Sequence, residues 1–280
     1  MRTYSPFRYP GGKAKLYKQF HKLINENNLQ NCTYVEPFCG GAGLAMKLLL
    51  RGDVSKIIIN DIDPAIYAVW YCIFNKTEEF CNKIENIKIS IEEREKQKEI
   101  YLKKDISDIF SLGMATLYLN RVNRSGILKA GVIGGKKQNG NYKMDCRFNK
   151  TKLIEIIRKI AEEKDNIEIY NMNAIQFLNK VKNEVSDNSL FYLDPPYYNQ
   201  GSKLYTNFFS PCDHEILCNY VKNIKNLNWI VTYDNVPEII DLYKDFNPQE
   251  YDITYTTEKK RKGKELLISN MDINFDLDSK

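Results

Sequence analysis

The chain reads as an α/β protein built on a mainly parallel sheet, with an antiparallel hairpin at its C-terminal end and a mostly helical insert in its middle. Three observations predict this. Short apolar runs alternate with helically spaced segments in both the first and the last part of the chain. The alternation stops between residues 76 and 165. The last two apolar runs stand too close together to hold a helix between them.

Taken in order, residues 34–36 and 56–60 are apolar runs bounded by turn signals, and residues 44–51 between them have helical spacing. The pattern resumes with a strand at 167–170, a helix near 174–185, a strand at 189–193, a helix near 213–224 and a strand at 229–233. Residues 249–255 and 265–270, joined through the basic stretch 258–264, form the closing hairpin. Residues 76–104 are dense in Glu and Lys and helical in character, 109–119 predict a further helix, and 120–149 are basic and glycine-rich. Residues 1–75 and 166–280 are therefore expected to build one domain around an inserted subdomain, 76–165.

A chain of 280 residues with 43% hydrophobic and 28% charged residues can bury a substantial core. No apolar run approaches the roughly 20 residues of a membrane span, and residues 1–10 lack the apolar stretch of a signal peptide, so no membrane partner and a cytoplasmic location are expected. Seven cysteines without a CxxC pair read as reduced, mostly buried side chains. With only His21 and His214 beside them, no metal site is predicted. The charge is uneven. Residues 120–152 hold nine basic side chains against one acid, a net +8 in a chain whose total is +5. A positive surface on an otherwise mildly acidic body suits a polyanion, although a solvated basic loop explains the same charges.

Two motifs carry chemistry. Glu36-Pro37-Phe38-Cys39-Gly40-Gly41-Ala42-Gly43 follows a strand and opens a helix, where unpaired backbone N–H groups face a ligand. Asp61, just past the next strand, stands where such folds bind ribose hydroxyls. A nicotinamide fingerprint fails because Met46 occupies the third glycine position, and a Walker loop fails because Phe7 and Ala14 replace its glycine and hydroxyl residue. The second motif is Asp194-Pro195-Pro196-Tyr197, directly after the strand at 189–193. Two prolines fix the backbone and present a carbonyl with no competing N–H. A carboxylate before them and an aromatic ring after them suit an exocyclic amine. Asp194 and the Pro195 carbonyl would each accept an N–H, directing the nitrogen lone pair at an electrophile, and Tyr197 would stack on the base.

Arg8-Tyr9-Pro10-Gly11-Gly12-Lys13, the Glu36–Gly43 loop, Asp61, Asp194 to Tyr197 and Thr232-Tyr233-Asp234-Asn235 together resemble the Dam-type (D12 class, alpha-group) DNA adenine N6-methyltransferases, in the order that family uses and over almost the whole chain. The resemblance implies a Rossmann-like methyltransferase fold, S-adenosylmethionine as methyl donor with S-adenosylhomocysteine as product, and double-stranded DNA whose target base is flipped out. It implies cofactor contacts from Tyr9, Lys13, Glu36, Phe38, Gly40, Gly43, Asp61, Asn173 and Asp194, where relatives often carry Trp in place of Tyr9 and Asp in place of Asn173. Catalysis is expected from Asp194, Pro195, Pro196 and Tyr197.

Leu117-Tyr118-Leu119-Asn120-Arg121 resembles the family's entry into its recognition hairpin, and Gly126 also matches. DNA contacts are expected from Asn120, Arg121, Arg124, Ser125 and Lys129, and phosphate contacts from Lys136, Lys137 and Lys143, with 259–264 as a second cluster. Relatives that read GATC carry Tyr-Asn-Gly-Leu-x-Arg where this chain has Arg124-Ser125-Gly126-Ile127-Leu128-Lys129, and Lys lacks the two-donor fork of Arg, which argues against GATC. A monomer with a possible cognate restriction endonuclease is expected. Two rivals stay open: methylation of another exocyclic amine, such as cytosine N4 or a base in RNA, and a DNA-binding relative without the chemistry.

Overall fold

The computed structural model describes residues 3–8, 12–199, 209–224, 226–256, 260–271 and 273. Its strands are β1 (Cys32–Glu36), β2 (Val54–Asn60), β3 (Ile167–Tyr170), β4 (Ser189–Leu193), β5 (Asn228–Asp234), β6 (Gln249–Thr256) and β7 (Lys260–Ser269). Its longer helices are α1 (Tyr17–Glu26), α2 (Gly43–Arg51), α3 (Pro64–Asn75), α4 (Thr77–Asn86), α5 (Ile91–Lys103), α6 (Ile109–Val122), α7 (Lys150–Ala161), α8 (Ala174–Val181), α9 (Pro211–Lys222) and α10 (Pro237–Leu242). Among the described residues the strands form one seven-stranded sheet in the order β3-β2-β1-β4-β5-β7-β6. The first five pair in parallel, and β7 runs antiparallel to both β5 and β6.

Both faces of the sheet are covered, which is why its strands read as apolar runs. Successive residues face opposite cores: Tyr34, Ile57 and Ile59 pack with Phe20 of α1, Met46 of α2 and Trp70 of α3, whereas Val35 and Ile58 pack with Phe177 of α8, Leu217 of α9 and Ile239 of α10. Strand order reverses between β1 and β4. At that switch point the loops after the two strands part and leave a crevice at their carboxyl ends.

Residues 76–165 hold α4 to α7 and join the core of the sheet domain. Phe80 and Ile84 of α4, Met114 and Leu117 of α6, and Ile157 and Ile160 of α7 lie in the same cluster as Ile57 and Tyr34. Helix α6 lies tight against α3: a Cβ at Gly113 would come 2.7 Å from both the Ala68 carbonyl oxygen and the Cys72 sulfur. Helices α1, α3, α7 and α10 add to those named from the sequence. The start of α3 was marked, since Asp63 accepts from the Ala65 N–H at 3.0 Å and Pro64 follows as the first helical residue. No helix among the described residues is long and apolar enough to cross a membrane.

The segment 3–8 lies against the insert through Asn120. Its side-chain oxygen accepts the Arg8 N–H at 2.8 Å, and its amide donates to the carbonyls of Arg8 at 3.0 Å and Gly126 at 2.8 Å. Gly126 has φ +77°, and a Cβ there would fall 2.0 Å from the Arg8 carbonyl oxygen. Gly126→Ala is expected to cost about 2–4 kcal/mol, combining left-handed strain with overpacking. Gly135→Ala, at φ +75° with nothing within 4 Å, should cost only about 1 kcal/mol. Urea unfolding of both variants checks this, and equal losses would contradict a tight approach of Arg8.

Candidate active site

The crevice at the switch point is a cavity of about 570 Å3, within the roughly 300–1,000 Å3 usual for small-molecule sites. Phe7, Phe38, Leu44, Pro196 and Phe209 give it apolar walls, and Lys13, Glu36, Asp61, Asn173 and Asp194 line it with polar groups. The turn after β1 forms one wall. The Cys39 N–H donates to the Asn60 carbonyl at 2.9 Å, and the Trp70 indole N–H donates to the Gly40 carbonyl at 3.0 Å, tying the turn to β2 and α3. Ala42 caps α2 in the left-handed conformation, φ +43°, a strain of the kind that clusters at ligand-binding turns.

Two acids stand in this wall. The Asp61 carboxylate accepts the Gly40 N–H and the Asp63 N–H, each at 2.9 Å. Burial nonetheless pushes its pKa up to about 6, with those N–H bonds opposing the rise. Glu36 is buried, and among the described residues its Oε2 has no hydrogen-bond partner. Burial, and then the neighbouring Asp194, hold the Glu36 carboxyl well above its ordinary range, with Lys13 opposing.

At the end of β4 the side chains form a dense polar network. The Lys13 ammonium donates to Asp194 Oδ1 at 2.7 Å and Oδ2 at 2.8 Å, and to the Tyr197 hydroxyl at 2.9 Å. It lies 3.8 Å from Oε2 of Glu265, on β7. Glu265 accepts the hydroxyls of Tyr197 and Tyr251. Thr232 of β5 donates to Asp194 Oδ1 at 2.9 Å. Side-chain exposure falls from 17% at Asp194 to 4% at Lys13 and 0% at Glu265, so the Asp194 carboxylate is the member of this trio most open to an incoming group. Burial raises the Asp194 pKa and Lys13 draws it back down. Burial, Asp194 and Glu265 all hold the Tyr197 phenol well above its usual range, leaving it a neutral donor. Just beyond, Asp234 accepts the N–H of Tyr198 at 2.9 Å and of Asn199 at 3.0 Å, pinning the chain that leaves the proline turn.

Lys13, Glu36, Phe38, Gly43, Asp61, Asn173, Asp194 and Pro196 thus meet around one cavity. Asn173 also caps α8, accepting the Ile175 N–H at 2.9 Å. Gly40, Pro195 and Tyr197 adjoin this wall in sequence; Tyr197 is buried with its hydroxyl engaged. Tyr9 and Lys259 lie outside the described residues. In the insert, Arg124, Lys129, Lys136, Lys137 and Lys143 are exposed and Ser125 is half-buried at φ +56°. Asn120 differs from its expected role. It is 1% exposed and its amide is taken up by Arg8 and Gly126, so it joins two backbone segments and presents nothing to a base. Arg121 is half-buried, donating from Nε to the Arg147 carbonyl at 2.7 Å. Glu265 and Tyr251 went unnamed in the sequence. Their one signal is the strand pairing that sets Asp234 and Tyr251 on either side of Glu265.

Residues 9–259 match the family model of the D12 class N6 adenine-specific DNA methyltransferases. The chain is 25% identical over 215 residues to the Type II methyltransferase M.MjaIII of Methanocaldococcus jannaschii, covering 69% of this chain and 68% of that protein. Among solved structures, PH1948 from Pyrococcus horikoshii, a candidate RNA methyltransferase, aligns over 94% of this chain and 87% of its own with a TM-score of 0.43 and 8% identity. The rRNA methyltransferase aviRa from Streptomyces viridochromogenes aligns over 93% and 86% with a TM-score of 0.37 and 12% identity.

The raised Asp61 pKa makes a stability prediction. The folded protein binds this proton more tightly than the unfolded chain, so the stability it contributes is lost as pH rises through the window from about 4 to about 6. The wild type should therefore lose up to about 3 kcal/mol relative to Asp61→Asn over that window. Urea unfolding at a series of pH values measures the difference, and parallel curves would contradict it.

Proposed function

The chain belongs to the D12 class N6 adenine-specific DNA methyltransferase family, and from that premise we propose that it methylates N6 of an adenine flipped out of a DNA duplex, with S-adenosylmethionine as donor. The observation that carries the reading is Asp194: an ionisable acceptor aimed by Lys13 and Thr232 at the carboxyl end of β4, in the wall of the cavity formed by the glycine turn.

The donor set of the cavity fits that cofactor. Asp61 retains lone pairs for ribose hydroxyls beyond the two backbone bonds it accepts. Glu36 lines the same wall, and Phe38, Leu44 and Phe209 offer apolar contact. With the Asp61 and Asp194 carboxylates in its wall, the cavity suits a ligand carrying positive charge. When bound, S-adenosylmethionine supplies a methyl group on a positively charged sulfur.

The chain's own residues act on the base. Asp194 and the Pro195 carbonyl accept the two N–H bonds of the exocyclic amine, turning its lone pair out of conjugation and toward the cofactor pocket. Displacement then needs alignment more than a strong base. Lys13 and Thr232 hold the Asp194 carboxylate in one orientation, so little reorganisation is left for the reacting moment. Tyr197, tethered through its hydroxyl to Lys13 and Glu265, packs against the extruded base and replaces part of its lost stacking.

Residues 76–165 serve as the target-recognition subdomain. The exposed Arg124, Lys129, Lys136, Lys137 and Lys143 face the duplex, and Asn120 acts indirectly by tying the segment 3–8 to this region.

Asp194→Ala should lower methyl transfer by at least about 100-fold, the scale of losing one preorganised hydrogen-bonding group, while duplex affinity is kept. Mapping modified bases in DNA from a host expressing the wild type should give N6-methyladenine at one short sequence. N4-methylcytosine, methylation confined to RNA, or a variant that loses binding and transfer together would overturn the assignment.

A further inference from the structure

A second cationic centre lies where the segment 3–8 meets the insert. Arg121 donates from Nε to the Arg147 carbonyl at 2.7 Å and from a terminal nitrogen to the Pro6 carbonyl at 3.3 Å. Arg8 donates to the Asn123 carbonyl at 3.2 Å, and its backbone is held on both sides by Asn120. These bonds gather three arginines around a short segment that also puts Phe7 into the cavity wall.

Among the described residues no carboxylate forms an ion pair with Arg8 or Arg121. Arg94 pairs with Glu95 and Arg158 pairs with Glu78, whereas the hydrogen-bond acceptors of Arg8 and Arg121 are carbonyl oxygens. Burial, and then the charges of Arg8 and Arg147, push Arg121 down to about 10, still a cation at neutral pH. Arg8 is lowered by burial and by Arg147. Like charges held together and partly desolvated cost free energy until a counter-charge arrives. Two of the five Arg121 donors are used on carbonyls, and the remainder keep the planar fork that matches a phosphate. Arg147 is exposed while Arg8 and Arg121 are half-buried, so the centre opens to solvent on one side.

We propose that Arg8, Arg121 and Arg147 form the seat of one backbone phosphate of the DNA strand beside the flipped adenine. The proposal rests on the reading of the chain as a DNA methyltransferase and adds a site distinct from the exposed lysines of the insert. Its ligand is a phosphodiester, recognised without regard to sequence. A phosphate seated there lies between the insert and the segment 3–8, whose Phe7 stands in the cavity wall.

Arg147→Ala is the cleanest probe, because the Arg121 bond runs to the Arg147 backbone carbonyl and survives the change. Affinity of the full chain for a duplex carrying its mapped target is measured between about 50 and 200 mM salt. The variant should bind more weakly, with the log–log slope reduced in magnitude by about 0.9 and the methylated sequence unchanged. A methylphosphonate scan should find one linkage near the target adenine whose neutralisation weakens the wild type more than Arg147→Ala, which keeps Arg8 and Arg121. Arg147→Lys should restore part of the slope. An unchanged slope, an altered target sequence, or no such linkage overturns the phosphate seat. Failure of the wild type to methylate any DNA adenine would instead sink the functional reading beneath it.

Discussion

Everything at the end of β4 depends on one ammonium group standing between two carboxylates. Lys13 is bonded to both oxygens of Asp194 and lies 3.8 Å from Glu265. Two acids and one cation removed from water bear a desolvation penalty that their attraction only partly offsets, and stripping such a group of its partner costs about 3–5 kcal/mol. The arrangement is therefore poorly explained as a device for stability. It makes sense as one for orientation: the cation opposes the rise that burial imposes on the Asp194 pKa and aims the carboxylate, while Glu265 holds the phenol of Tyr197 from the other side.

The Rossmann-like methyltransferase fold supplies the geometry that brings these groups together. Parallel strands end on one side of the sheet, so the glycine turn after β1, Asp61 after β2 and Asp194 after β4 converge at the reversal of strand order. The antiparallel β7 solves a separate problem. Running opposite to β5, it sets Glu265 beside Asp234, the last residue of β5, next to the proline turn. Residues 76–165 contribute through packing, since helices α4, α6 and α7 share the core that lies under β1 and β2.

What the sequence disclosed follows the range of the interactions. The strands of the parallel core, the glycine turn and Asp194 to Tyr197 are contiguous signals, and they were legible. Glu265 was not, because its partner Tyr197 lies 68 residues away and Lys260–Ser269 reads as an ordinary hairpin strand. Asn120 misled for a related reason: a polar residue next to a basic stretch resembles a base contact, yet its bonds cross 112 residues to Arg8. Helix α7 was hidden by its position at the end of the basic segment, although Leu153, Ile156, Ile157 and Ile160 keep a buried stripe. Arg147 and the segment that carries Arg8 were invisible as partners until Arg121 joined the Arg147 carbonyl to that of Pro6.

The claim that Lys13 keeps Asp194 an ionised acceptor is tested most directly by the pH dependence of single-turnover methyl transfer in the wild type and in Lys13→Met. Removing the cation takes away the larger of the two groups that lower the Asp194 pKa, leaving only the Thr232 hydrogen bond against burial and Glu265. The acid limb of the profile should then move to higher pH, with activity partly recovered in alkaline buffer. A limb that stays where the wild type has it, beneath a uniformly lower rate, would contradict the account.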